Sequence, residues 1–297
     1  MVFSKRSSKE DLIFDIFNFL ILGIITLIVL YPLYFMIIAS ISDPNYVANG
    51  KVILFPKNIT FEGYQKIINY KAIWTGYRNT IIYSAVGALI SVVLTITFAY
   101  PLSRKDFFGR RFFMIVVLIT MFFNGGMIPT YLVVRKLGMI NTIWAMVLPN
   151  AVTAFNIIIA RTFFNMTIPE ELREAASIDG CTDFMFFAKI VVPLSKPIIA
   201  VLTLFAIVGQ WNGFFDALLY LTKENLYPLQ LVLRNILIQS QSVNQLTESA
   251  ATIIAQQRQA ELMKYGVIIV SSVPLLIFYP FIQKYFAKGM MVGSVKG

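Results

Sequence analysis

The chain has 297 residues, of which 58% are hydrophobic and 13% charged, and its formal net charge is +10. A mean hydropathy of +0.73 is higher than the surface of a soluble domain requires, so the composition indicates a protein of the lipid bilayer. The chain has no histidine, phosphate-binding loop or Cys/His cluster, so we expect neither an enzyme nor a metalloprotein. Basic residues that flank membrane spans explain the positive charge, so we expect no nucleic-acid partner.

Apolar stretches of about 20 residues, long enough to cross a bilayer as a helix, recur along the whole chain. The predicted transmembrane helices are 16–41, 79–100, 112–132, 142–164, 197–221 and 265–286. The first is too long, and lacks the small-residue cleavage site, to be a removable signal peptide. We therefore predict an all-α integral membrane protein with a single domain over 1–297 and both termini on one side.

Lys and Arg residues in short loops predict which side that is. The loop between the second and third predicted spans is the most basic, with Arg104, Lys105, Arg110 and Arg111. Both ends of the chain also carry lysines. The long loop 42–78 is basic too, but long loops count less under this rule. The termini and the loop 103–111 are therefore predicted to be cytoplasmic.

A polar segment, 167–193, separates the fourth and fifth predicted spans. Thr167 and Glu170 have the spacing of a capping box, and Pro169 falls in the first turn that such a box would open. Acidic residues at this position also suit the positive end of a helix dipole. We expect a helix to begin near Thr167.

The same segment contains signals for a turn and a second helix. Gly180 can adopt the left-handed conformation that ends a helix, and Thr182 or Asp183 can cap the next one, which we expect to end before Pro193. Cys181 is the single cysteine of the chain, so no disulfide can form within it. The segment is therefore predicted to be a helix, a tight turn and a helix.

Uncharged polar and aromatic side chains occur within the predicted spans. The candidates for a translocation path or substrate site are Asn124, Asn150, Asn156, Gln210, Trp211, Asn212, Phe214, Phe215 and Asp216. Amides pair with sugar hydroxyls and aromatic rings stack on sugar rings, but such residues also form hydrogen bonds between helices. The cluster 210–216 favours binding, because several such groups coincide there. With Asp216 almost alone among ionisable groups in the spans, ion-coupled transport is not expected.

The spacing within 167–193 resembles the EAA loop of the membrane subunits of bacterial ABC importers. The residues that carry this resemblance are Glu174, Ala175, Ala176, Asp179, Gly180, Ile190 and Pro193. One position differs, since Val192 stands where the family usually has Leu. The resemblance implies that these residues couple the chain to an ATPase.

Two further stretches resemble narrower groups within that family. The ending 288–297, which closes with Gly293, Ser294, Val295, Lys296 and Gly297, resembles the tail of the maltose-type (carbohydrate uptake transporter-1) permeases. The stretches 123–131 and 137–142 are similar to the branch that handles aldouronate and other complex oligosaccharides. In the family this tail contacts the ATPase subunits.

The resemblance implies the type I ABC importer fold and transport by alternating access in a bacterial cytoplasmic membrane. The implied partners are a second homologous permease, a homodimeric ATPase that binds ATP and Mg²⁺, an extracellular solute-binding protein and an oligosaccharide, with or without uronate units. No cofactor is expected in this chain. Two alternatives stay open at this point: a secondary carrier or channel that works alone, and an ABC permease for a non-sugar solute.

Overall fold

A computed structural model of the protein describes residues 9–242 and 261–277, which are mostly helical and contain no strand. The first helices are α1 (Lys9–Ser40), α2 (Pro44–Ala48), α3 (Glu62–Asn69), α4 (Lys71–Ser103), α5 (Arg110–Phe122), α6 (Met127–Lys136) and α7 (Ile143–Val147). They are followed by α8 (Ala154–Thr167), α9 (Glu170–Ile178), α10 (Asp183–Phe186), α11 (Val192–Leu194), α12 (Lys196–Asn212), α13 (Phe215–Tyr220) and α14 (Leu229–Ser242). The last described helix, α15, covers 261–277. The predicted all-α class is confirmed.

Two of these helices are long and apolar enough to cross a membrane unbroken, Asp11–Ser40 within α1 and all of α4. Two helix pairs pass the same test only together, because each is bent: α5 and α6 by 113°, and Asp183–Leu194 and α12 by 77°. The described residues thus contain two spanning helices, or up to four if each bent pair is one span. The full count of six spans stays a prediction.

The segment 112–132, predicted as one helix, is two helices. The break lies at Gly126, whose φ of 88° and ψ of 170° suit glycine almost exclusively. Its N–H donates to Oδ1 of Asn124 at 2.9 Å, which closes the turn. The hydropathy of the sequence shows how long the apolar stretch is, but Asn124 and Gly126 cause the bend within it.

The segments 142–164 and 197–221 are also interrupted. In the first, α7 ends at Val147 and α8 begins at Ala154, with Oγ1 of Thr153 accepting the Asn156 N–H at 3.3 Å. In the second, α12 ends at Asn212 and α13 starts three residues later. Of the predicted sixth span only the part up to residue 277 is described, and the tail 288–297 lies outside the described residues.

The sequence predicts one domain over 1–297, whereas the contacts group the residues into two compact units. The first consists of Met1–Tyr70 and Asn235–Ser271. Within it α3 packs on α15: Ile67 is buried, and a Cβ on Gly266 would lie 2.8 Å from its Cδ1 atom. Most apolar side chains of α1 are exposed, as suits a helix that faces lipid.

The second unit, Lys71–Arg234 and Ser272–Gly297, is organised around α4. Helices α12 and α8 make their most extensive contacts with α4. The side chains that α4 buries are mainly small, among them Gly76, Ser84, Gly87, Ala88, Ser91, Thr95 and Ala99. Small residues let helices approach closely, and a Cβ on Gly87 would lie 3.1 Å from Nε2 of Gln210.

The N-terminal part of α4 holds the start of α14. The side chains of Asn79 and Tyr83 donate to three backbone carbonyls in 225–227, at 2.8 to 3.0 Å. Oγ1 of Thr80 accepts the Leu229 N–H at 2.8 Å. These bonds satisfy backbone groups that an interrupted chain would otherwise leave without partners, and they fix where α14 begins.

The contact at Gly87 predicts a difference between two glycine substitutions. Gly87→Leu should lower the melting temperature of the purified protein, since a larger side chain must displace Gln210 at a cost of about 1–3 kcal/mol. Gly23→Leu is the matched control, because no atom lies within 4 Å of a Cβ added at this position of the other long apolar helix. Equal melting temperatures for the two variants would contradict this packing.

Candidate functional site

The polar segment 167–193 forms a helix, a turn and a further helix, as the sequence predicts, but its first helix starts later. Thr167 is the last residue of α8, and its buried Oγ1 has no hydrogen-bond partner among the described residues. Helix α9 begins at Glu170, and Pro169 at its N-cap makes no side-chain hydrogen bond. The predicted capping box is wrong because proline holds the preceding residue, Ile168, in an extended conformation that separates the two helices.

The turn after α9 is the one predicted at Gly180. Its φ is 78°, in the left-handed region that glycine tolerates best. The N–H of Gly180 donates to the Ser177 carbonyl at 3.1 Å, and that of Cys181 to the Ala176 carbonyl at 2.9 Å. This is the bonding of a Schellman motif, which closes the end of a helix and sets the direction of the chain beyond it.

The second helix begins as predicted and runs further than predicted. Oγ1 of Thr182 accepts the Met185 N–H at 3.3 Å, which confirms the cap. Helix α10 continues through a π turn, Phe187–Val191, into α11, so Pro193 lies inside the helix and not beyond its end. The wider π turn lies directly before the proline, where an ordinary helix would lose a hydrogen bond and clash with the ring.

The helix pair buries one side and exposes the other. Ala176 is 9% exposed and Ile190 packs against the core that contains it, whereas Glu174, Ala175, Asp179 and Pro193 are exposed. The turn is flanked by two apolar side chains that are largely exposed, Ile178 at 87% and Phe184 at 80%. Exposed apolar side chains beside a polar helix are typical of a protein contact.

A cluster of charged side chains ties the loop after α4 to both helices of the pair. Its members are Arg104, Lys105, Asp106, Glu170, Arg173 and Asp183. Arg104 is central: Nη1 lies 2.6 Å from Asp183 Oδ1, and Nη2 lies 2.6 Å from Asp106 Oδ2. The Arg104 side chain is only 18% exposed, whereas those of Asp106 and Asp183 are 43% and 69% exposed, so the pairs are screened from water on the arginine side alone.

Arg173 on α9 completes the link. Its Nη1 lies 3.2 Å from Asp106 Oδ2, so Asp106 lies between two guanidinium groups. The hydrogen bond from Arg104, with further attraction from Arg173, lowers the pKa of Asp106 to about 2. Asp106 therefore stays ionised at every pH at which a cell works.

The predicted path residues mostly make hydrogen bonds within the protein. Nε2 of Gln210 donates to the Met146 carbonyl at 2.9 Å, which joins α12 to α7. Nδ2 of Asn150 donates to Asp216 Oδ2 at 2.8 Å, a hydrogen bond between two predicted path residues. Asn212 bonds to a carbonyl of its own helix.

The aromatic members of this group differ in exposure. Trp211 is 3% exposed, with its ring 6.2 Å from that of Tyr77, whereas Phe214 and Phe215 are 39% and 49% exposed. Asn124 lies in the break between α5 and α6, and Asn156 lies in the first turn of α8. Within the cluster 210–216, the two phenylalanines are therefore the aromatic side chains with surface available to a solute.

The sequence interpretation missed the charged cluster. Its residues appeared only as topology signals or helix-dipole charges, although opposite charges in 104–106 and 170–183 do fit one another. Which charge meets which depends on the packing of α4 against α8, where Nε of Arg161 donates to the Leu102 carbonyl at 2.9 Å. That packing brings together segments about 70 residues apart.

The apolar helices and the polar helix pair at the C-terminal end of α4 suit a component of membrane transport. The chain belongs to the family of binding-protein-dependent transport system inner membrane components, whose family model matches residues 71–292. This membership decides against a carrier or channel that works alone and supports a transport role without catalysis.

Relatives match over the whole length. Protein LplC of Bacillus subtilis (strain 168) is 38% identical over 296 residues, which cover 100% of this chain and 99% of LplC. The polygalacturonan/rhamnogalacturonan transport system permease protein YtcP of the same organism is 40% identical over 289 residues, 97% of this chain and 100% of YtcP.

A solved structure has the same fold. It is a crystal structure of a bacterial ABC transporter involved in the import of the acidic polysaccharide alginate. One of its chains matches with a TM-score of 0.85 and 36% identity, over 95% of this chain and 100% of that one.

The charged cluster predicts how the helix pair responds to loss of one cation. Arg104→Gln should speed maleimide labelling of Cys181 at least about threefold, because it removes the ion pair of Asp183 and leaves Asp106 with Arg173 alone. Lys105→Gln is the control: this lysine is 79% exposed in its pair with Glu170, so its loss should change the rate less than about twofold.

The same assay tests whether Asp106 stays ionised between pH 6 and pH 8. Its pKa in the folded protein lies below the ordinary 3.8, so its stabilising contribution is present above that pH and is lost only as the pH falls toward 2. The ratio of the Arg104→Gln rate to the wild-type rate should therefore be the same at pH 6 and pH 8. A ratio that changes between them would contradict this ionisation.

Proposed function

We propose that the chain is a permease subunit of an ATP-driven ABC importer that takes up oligosaccharides containing uronate units. The observation that carries this proposal is similarity along the whole chain to YtcP and to the alginate importer chain, both named for polymers that carry acidic sugars. LplC, which matches equally well, carries no substrate in its name. Neutral sugars are the alternative within the same class, since other relatives are named for arabino- and galactooligosaccharides.

The permease is proposed to lie in the bacterial cytoplasmic membrane with both termini and the helix pair on the cytoplasmic side. Support comes from the basic loop 103–111, which lies at the same end of α4 as the helix pair. The positive-inside rule places such a loop in the cytoplasm. The six predicted spans agree with this arrangement.

The helix pair is proposed to dock on a homodimeric ATPase, which binds ATP and Mg²⁺. The exposed Ile178 and Phe184 would enter an apolar groove of that partner, and Glu174 would meet a basic group on it. Residues Gly293 to Gly297 of the tail are proposed to contact the ATPase as well. The remaining partners are a second homologous permease and an extracellular solute-binding protein.

Motion of the ATPase would reach the membrane through the charged cluster. The cluster joins both helices of the pair to the end of α4, so a push on the pair moves α4 and the helices packed on it together. Such rigid-body movement is how alternating access operates. The solute would pass near Phe214 and Phe215, while Gln210, Asn150 and Asp216 hold the helices together.

The coupling role predicts that two changes in the helix pair separate ATP hydrolysis from uptake. Glu174→Lys reverses the charge of an exposed contact, and Gly180→Pro cannot adopt the observed φ of 78°. In proteoliposomes with ATP inside, uptake should fall at least about tenfold while the complex is still recovered from the membrane. Glu224→Lys makes the same charge change in the 3₁₀ turn Glu224–Leu226, near the opposite end of α4, and should transport normally. Wild-type uptake by both helix-pair variants would contradict the proposal that the helix pair docks on the ATPase.

The substrate class is tested on the complete transporter. Affinity purification of this chain from its native membrane in mild detergent should recover a second permease and an ATPase. Proteoliposomes of that complex, supplied with its solute-binding protein, should then take up short oligogalacturonate faster than arabino-, galacto- or maltooligosaccharides. Preference for a neutral sugar would contradict the acidic-sugar assignment and leave the permease assignment standing.

A further inference from the structure

Arg234 is a half-buried cation that belongs neither to the charged cluster nor to the predicted path residues. It lies on α14, and its guanidinium carbon is 5.7 Å from the centre of the Phe214 ring. The ion pairs among the described residues involve the charged cluster and Lys66 with Glu62, and none of them includes Arg234. Asp216, the acidic residue nearest in sequence to Phe214, is engaged by Asn150 instead.

Arg234 is held on a rigid support. The backbone N–H of Leu229 is bound by Thr80, and Leu231, Val232 and Leu233 are buried. Gly76 of α4 allows this close approach, since a Cβ added there would lie 3.0 Å from Cα of Leu229. The start of α14 therefore cannot shift without disturbing α4, so the backbone that carries Arg234 is held in place.

The placement leaves both groups available to a solute. Phe214 is 39% exposed at the break between α12 and α13. Arg234 is half-buried, and no acidic side chain among the described residues forms an ion pair with it. Partly buried cations are usually paired, because removing charge from water is costly. An aromatic ring on one side compensates only part of that cost, so an anion from outside the chain would be bound favourably.

A uronate sugar matches this pair of groups. Its ring has an apolar face that can lie on an aromatic side chain, and its carboxylate projects from the ring edge, within reach of a cation beside that aromatic. A guanidinium binds a carboxylate with two parallel hydrogen bonds, and such charge-assisted bonds are about twice as strong as neutral ones. A neutral hexose offers the same face without the carboxylate.

We propose that Arg234 and Phe214 form a carboxylate-binding subsite on the path of the solute, in which Phe214 stacks on a sugar ring and Arg234 binds its carboxylate. This inference rests on the proposed function and assigns the preference for acidic sugars to a residue of this chain. The start of α14, which carries Arg234, contacts the N-terminal part of α4 at Gly76 and Thr80, whereas the charged cluster lies at its C-terminal end, about 40 Å away along the helix. Changes at Arg234 should therefore leave the helix pair undisturbed.

The test compares two solutes that differ only at the carboxyl group, short oligogalacturonate and its fully methyl-esterified, uncharged form. Uptake is measured in proteoliposomes that contain the complete transporter, its solute-binding protein and internal ATP. Each variant is expressed relative to wild type with the same solute, so the preference of the solute-binding protein cancels. The variants are Arg234→Gln, Arg234→Lys, Phe214→Leu and the control Arg135→Gln, an exposed arginine at the end of α6.

Arg234→Gln should lower kcat/KM for oligogalacturonate about tenfold or more, since a bond to a charged group is lost. Uptake of the methyl ester should change less than about twofold, and Arg234→Lys should restore part of the oligogalacturonate uptake because the charge returns. Phe214→Leu should impair both solutes, because stacking does not depend on the carboxylate. Arg135→Gln should resemble wild type with both.

Two results would overturn the subsite. If Arg234→Gln lowers the uptake of both solutes equally, the arginine only stabilises the fold. If that variant takes up oligogalacturonate at the wild-type rate, the arginine does not bind the carboxylate. If wild type does not take up the methyl ester, a failure of Arg234→Lys to recover any oligogalacturonate uptake counts against the proposal. A wild-type transporter that takes up no oligogalacturonate would instead contradict the proposed substrate class.

Discussion

The close packing of α12 and α8 on the small-residue face of α4 is the constraint on which the second unit depends. Lipid removes the hydrophobic driving force between helices, so contact area and hydrogen bonds must hold them together. Gly87 lets Gln210 approach, and the Gln210 amide then reaches the Met146 carbonyl. The same helix holds α14 near its N-terminal end and the helix pair at its C-terminal end, so one rigid element joins both.

The helix pair divides its surface between two kinds of contact. Charged side chains of the pair form ion pairs with the loop after α4 in the cluster around Arg104, whereas Ile178 and Phe184 are exposed beside the Gly180 turn. Ion pairs with charge-assisted hydrogen bonds depend on geometry, so they transmit a small displacement, and exposed apolar side chains supply area for a partner. A surface arranged in this way suits an element that is displaced by a partner protein and transmits the displacement to α4.

Breaks in the helices decide which polar groups a solute could meet. Where a helix stops, its last carbonyls and first N–H groups need partners, and several amides that the sequence marks as binding candidates serve that need or join neighbouring helices. Asn124 closes the turn at Gly126, and Asn150 binds Asp216. The break near Gly213 instead leaves Phe214 exposed next to Arg234. The candidate subsite is thus a consequence of where α12 ends.

The sequence by itself determined the helical class, the membrane setting, the Gly180 turn and a cap at Thr182 or Asp183, because each depends on composition or on residues a few positions apart. It misplaced the start of α9 and joined helices that are broken, since an apolar stretch has the same hydropathy whether it is straight or bent. Only the tertiary structure decided that Arg104 meets Asp183 and that Arg234 meets Phe214. Those pairs lie 79 and 20 positions apart in the chain, and no local rule links side chains that come together only after helices have packed.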